Sequence, residues 1–288
     1  MASALWRNLP FLLRRAVVSS GEDGVFSLAK GAAYSSLLSF FPILTSAAAI
    51  LVQVRAEFVA QQIAGFLSEV LPPGTDQVVM MQFRLRGPKP VGLLIAANVL
   101  AIWAASSIIK SLIDGFHMAY RVPKGRDFFH NTAVAMGLVL AGVLPFAAAS
   151  ALLIFGQQLE SVVLNWFKVD PLLNPLAAVW EALYRFARFV VAIAAMIWLS
   201  TIVYYYAPYR KQKFRMVIPG AVLATILWVG ATLGFSWYVR NVSNYNVLYG
   251  SIGTGIALLV WMYLLSAIAM LGCEFNAEYE RMLALETK

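Results

Sequence analysis

Few side chains in this sequence are of a type that does chemistry, and fewer are spaced for it. The two histidines, His117 and His130, flank one short polar segment. They read as interface residues, since no HExxH helix, paired-cysteine motif or phosphate-binding glycine loop goes with them. Cys273 is the single cysteine, which excludes an internal disulfide and a cysteine-built metal cluster. Nuclease or other hydrolytic chemistry needs clustered metal-binding carboxylates or a matched acid and base. No such set is visible, so neither a catalytic residue, a metal nor a cofactor is expected.

What stands out instead is a short set of polar residues inside apolar sequence. Burying them is costly, so each is a default functional candidate. Asn98 falls within an apolar stretch, where an interhelical hydrogen bond and a substrate contact are both open. Asp114 falls at the inner end of the same stretch and faces water, caps a turn or titrates. Glu181 and Arg185 stand four apart in the order that favours an ion pair on one helix face, with Arg188 on a neighbouring face. The set is an interfacial ion pair with a snorkelling arginine, or an outer site for an anion or headgroup. Ser35, Ser36 and Ser39 have no base near them in sequence and read as helix-packing hydroxyls.

The elements that hold these residues follow from composition. Hydrophobic residues make up 61% of the 288 and charged ones only 12%. A soluble fold of ordinary composition carries about 25% charged residues, so much of this surface must face lipid. Spanning the hydrocarbon takes roughly 20 apolar residues. Six stretches suffice: 31–54, 91–113, 133–155, 181–206, 217–239 and 251–273. A backbone in lipid must satisfy its own hydrogen bonds, and strand alternation is absent. The fold class is therefore all-α, a polytopic membrane helix bundle with six transmembrane helices plus interfacial amphipathic helices. It forms a single membrane domain over 1–288. Residues 1–18 read as an amphipathic helix on the membrane surface, 57–71 and 78–85 as interfacial helices of an outer loop, and 274–288 as a cytoplasmic tail.

Charge gives the orientation. The net charge is +8. With both termini inside, 14 of the 22 lysines and arginines fall on inside segments, notably the loop around Arg121, Lys124 and Arg126 and the run Arg210 to Arg215. This bias places both termini in the cytoplasm. It also explains the basic balance without nucleic acid, leaving membrane lipids, a second copy of the chain or an envelope protein as the expected partners.

Several positions predict irregular helices. Pro42 and Pro145 fall midway along the first and third stretches and should kink them. Gly230 and Gly234 are spaced for close helix contact. Gly250, Gly253 and Gly255 follow the polar run 241–246, as in the broken helices of transporters, although close packing would also account for them. Tyr204, Tyr205 and Tyr206 before Pro208 read as an interfacial aromatic belt.

Three segments carry a resemblance: GAAYSSLLSFFPILTSAAAI from Gly31, YYYAPYRKQKFRMVIPGAVLATILW from Tyr204, and YGSIGTGIALLVWMYLLSAIAMLGCEFNAEYER from Tyr249. They resemble the YihY/BrkB family, and with the six stretches the likeness covers nearly the whole chain. The resemblance implies a bacterial inner-membrane protein of six helices, with transport as the supposed role. It brings no catalytic set. The family's closing Gly-Glu-Asn pattern falls on Gly272, Glu274 and Asn276, with capping or anchoring as sufficient roles. Ribonuclease, a label that members have carried, finds no support in these residues. The leading expectation is a transporter or translocation factor for an amphiphilic or small organic substrate. The alternative is a structural envelope-maintenance protein acting through partners.

Overall fold

The computed structural model describes residues 8–53, 91–122, 126–166, 177–241 and 245–286, with isolated positions between 59 and 67. Seven helices account for nearly all of these: α1 (Leu9–Glu22), α2 (Val25–Gln53), α3 (Val91–Ala119), α4 (Phe128–Trp166), α5 (Ala177–Tyr206), α6 (Phe214–Asn241) and α7 (Tyr245–Glu286). Helices α2 to α7 each contain a stretch long and apolar enough to cross a membrane. The interfacial helices expected at 57–71 and 78–85 lie largely or wholly outside the described residues.

Lipid-facing character shows in what the helices leave open. Leu93, Val99 and Trp103 on α3 are exposed, as are Leu140 and Leu144 on α4 and Ile226, Leu233 and Trp237 on α6. Outside water these side chains lose nothing by exposure, so the bundle is held by close packing and polar contacts. The main core is accordingly built from small residues around a few large ones. Ala29, Ala32, Ala119, Ala207, Ala221 and Ala224 surround Phe116, Tyr204 and Met270.

Helix α7 is the centre. It packs on α1, α2, α3 and α6, while α4 and α5 complete the bundle through contacts with their chain neighbours. Every residue of 272–279 is buried. The segment expected as a tail is helical as far as it is described, α7 running unbroken to Glu286. Helix α1 lies against that extension, its Leu12 and Ala16 packed with Phe275 and Tyr279. It is therefore docked on protein rather than only resting on a membrane, and it ends at Glu22 rather than 18. Both described ends of the chain meet at one face of the bundle, called here the terminal face.

Other expectations shift as well. Helix α4 runs past 155 to Trp166, while Pro42 and Pro145 lie inside α2 and α4 where the sequence placed them. Gly250, Gly253 and Gly255 lie within uninterrupted α7, so no broken entry exists there. Gly230 and Gly234 are exposed, and a Cβ on either would meet nothing within 4 Å, so they serve no helix contact among the described residues. Tyr204 is buried and donates from its hydroxyl to the Ala269 carbonyl at 2.7 Å, so it is core rather than belt.

Candidate functional site

The closest helix crossing positions the site. A Cβ built on Gly220 would stand 2.0 Å from the Gly272 carbonyl oxygen, and one on Gly272 would stand 2.8 Å from the Gly220 oxygen. Only glycine lets α6 and α7 approach so far. The turn of α6 at this crossing contains Pro219, which has no N–H to donate and crowds the carbonyl one turn back. Asn276 serves this turn from α7. Its Nδ2 donates to the Val217 carbonyl at 3.0 Å, and its Oδ1 accepts the Gly220 N–H at 2.7 Å.

Beyond the crossing, toward the terminal face, α7 presents its acids to α1. Glu278 is 3% exposed at its side chain. It accepts from Arg15 Nε at 2.7 Å, from Ser19 Oγ at 2.9 Å and from Arg281 Nη1. The other end of Arg281 donates to the Ala119 carbonyl at 2.6 Å, a cation placed where α3 leaves its last carbonyls open. Glu274 is fully buried, with one oxygen 3.4 Å from Arg281 and the other without a hydrogen-bond partner among the described residues. Asp23, just past α1, pairs with Arg121 at 3.6 Å. Three arginines and three acids thus balance at the seam between α1, α3 and α7.

A second brace closes the same face. Arg210 donates to both oxygens of Glu280 at 2.7 and 2.8 Å and lies over the Tyr120 ring, 4.2 Å from its centroid. Burial pushes the Tyr120 hydroxyl far above its ordinary pKa, so the ring meets Arg210 as a neutral π-face. Arg126 donates to the carbonyls of Ala207 and Tyr206 at the end of α5, and Gln212 to those of Tyr204 and Tyr205. His117 accepts the Tyr209 N–H on Nε2 at 3.1 Å, while His130 is exposed.

Against the outside of this seam lies an open pocket of ≈ 320 Å³, lined by Phe11, Arg14, Arg15, Val18, Ser19, Glu22 and Arg121. Among the described residues no group of three or more His, Cys, Asp or Glu is arranged to hold a metal ion.

The residues singled out from sequence do not converge. Asn98 joins α3 to α2: its Oδ1 accepts from Ser46 Oγ at 2.9 Å and its Nδ2 donates to the Leu94 carbonyl at 2.8 Å. It belongs to a ladder of neutral contacts in which Ser35 and Ser111 share a bond at 3.1 Å and Ser39 donates to the Ala104 carbonyl. Asp114 is exposed, one turn before His117. Arg188 lies half-buried beside the Phe189 ring, on α5 with Glu181 and Arg185, whose side chains are outside the description. Sequence reasoning missed Arg15, Ser19, Glu278 and Arg281. One signal could have found them. Apolar residues continue at helical spacing past Cys273, through Phe275, Tyr279, Met282 and Leu283, which marks an amphipathic helix in need of a partner.

The comparisons agree with this architecture. No solved structure matches the chain. A Bacillus subtilis protein named as ribonuclease-like, YfkH, is 29% identical over 246 residues, covering 85% of this chain and 86% of its own. A UPF0761 membrane protein of Vibrio vulnificus is 26% identical over 251 residues, 85% of this chain and 74% of that one. One from Alkalilimnicola ehrlichii is 25% identical over 258 residues, and there the chain spans only 55% of a longer relative. The family model described as virulence factor BrkB matches residues 16–288. This six-span bundle, with its acids sealed by the first helix, therefore belongs to the BrkB family of bacterial membrane proteins.

Proposed function

We propose that the chain is a non-enzymatic translocation factor or transporter for an amphiphilic or small organic substrate. In this reading it resides in the inner membrane with the terminal face toward the cytoplasm. The observation that carries it is the set of ionisable side chains sealed where α1 covers α7. Glu274 and Glu278 are buried with Arg281 against them, and one oxygen of Glu274 has no partner among the described residues. Charged groups in membrane bundles are costly and commonly mark substrate or ion pathways. A bundle that only holds a place in the membrane gains nothing from such a pair that an apolar contact would not supply. The cytoplasmic side is supported by the arginines that gather there, Arg14, Arg15, Arg121, Arg126, Arg210 and Arg281.

The test is reconstitution of the full chain in liposomes carrying fluorescent amphiphiles, with an impermeant reductant added outside. Inner-leaflet fluorescence is expected to be lost faster than in protein-free liposomes. Rates equal to protein-free liposomes across anionic, zwitterionic and cationic probes would contradict transport and leave the partner-dependent structural role. Orientation is read separately. Cys273 is the sole cysteine and buried, so a Cys273→Ser chain carrying one new cysteine at the exposed Glu22 position reports which side an impermeant thiol reagent reaches.

A further inference from the structure

The open pocket beside α1 gathers more positive charge than its own lining acid offsets. Three arginines line it, against a single acid, Glu22. Arg15 is already engaged by Glu278. Arg14 is exposed and has no ion pair among the described residues. Arg121 has only the long 3.6 Å contact to Asp23, with its side chain 62% exposed. Two guanidinium groups at the pocket therefore have donors to spare.

Arg121 is placed there at a cost. It sits at φ 52°, the one non-glycine residue with positive φ among those described. Its N–H donates to the Met118 carbonyl, and the Val122 N–H donates to the His117 carbonyl, both at 2.9 Å. This is the bonding pattern that ends a helix with a left-handed residue, where glycine is the usual occupant. A side chain there is strained relative to glycine, and stored strain of this kind tends to gather where a ligand is gripped. The turn aims Arg121 at the pocket, which glycine could not do.

The surroundings identify the ligand class. Phe11, Val17 and Val18 are all at least half exposed on the same short helix. The pocket lies at the edge of the apolar spans, since α2 begins its span at Val25 and α3 ends its own at Ala119. A volume of ≈ 320 Å³ is at the small end of ligand sites, which run about 300–1,000 Å³. It accommodates a headgroup, while acyl chains would lie along Phe11 and Val18. We propose that Arg14 and Arg121 bind the phosphate of an anionic phospholipid at this pocket. Guanidinium forks match phosphate oxygens in pairs, and such charge-assisted bonds are the strong ones. The site is independent of transport, because binding is read without any flux.

The full chain in detergent is titrated with phosphatidylglycerol, phosphatidylcholine or inorganic phosphate, and bound ligand is counted by native mass spectrometry. Phosphatidylglycerol is expected to bind about tenfold or more tighter than phosphatidylcholine. The double variant Arg14→Gln with Arg121→Gly should lose that preference while melting no lower than the parent, since glycine suits the turn at 121. Equal binding of the two lipids, or undiminished phosphatidylglycerol binding by the double variant, would overturn the proposal. Inorganic phosphate binding as tightly as phosphatidylglycerol would overturn the lipid as source and assign the arginines to free phosphate.

Discussion

Helix α6 carries glycine near both of its ends, and only one end uses it. At Gly220 the backbone presses on Gly272 of α7, and Asn276 bonds the turn that holds Pro219. At Gly230 and Gly234 the helix faces open space. The difference shows that glycine spacing fixes which residues share a face, whereas the neighbour decides whether that face is a contact. The used end is also the end at which charge is buried, so the tightest packing and the costliest groups lie together near the terminal face.

That contrast is broken most directly at the glycines. Gly220→Ala should destabilise the detergent-solubilised protein by about 3 kcal/mol, because the obstacle is a backbone oxygen that cannot rotate away. Gly230→Ala should shift thermal unfolding by less than about 0.5 kcal/mol. Equal effects at the two positions would erase the distinction. Asn276→Ala comes next, at about 2 kcal/mol, since it removes both of the side chain's buried bonds from α7 to α6. Arg15→Ala should cost only about 1 kcal/mol by the same assay. Its side chain is 57% exposed, and Glu278 keeps Ser19 and Arg281. Among the polar contacts the smallest loss is expected at Asn98→Ala, about 0.6 kcal/mol, the usual size of a neutral interhelical bond in a membrane. An Asn98 effect above that of Asn276 would move the stabilising centre to the α2–α3 ladder.

Much of the bundle was legible in the sequence because lipid imposes a simple rule: long apolar stretches must be helices. The six spans, and the packing roles of Ser35 and Ser39, follow from that rule and from ordinary hydroxyl chemistry. The site was less legible. Glu274 and Glu278 look solvent-facing once a span is counted closed at Cys273, yet both are buried, and Glu278 meets Arg15 and Ser19 of α1 there. Arg281 reaches the end of α3, 162 residues earlier in the chain, a contact that no local pattern encodes. Pro219 looks in sequence like Pro42 and Pro145, yet its turn is the one that Asn276 bonds from α7.

The central claim is that the sealed acids under α1 work in function and are not merely structural. Flux of a fluorescent anionic amphiphile in proteoliposomes, compared between Glu278→Gln and Gly230→Ala at matched folded protein, tests it in one experiment. The account predicts that Gly230→Ala keeps the parent rate while Glu278→Gln loses about tenfold or more, the loss of one charge-assisted contact. Parent-like flux through Glu278→Gln would contradict it.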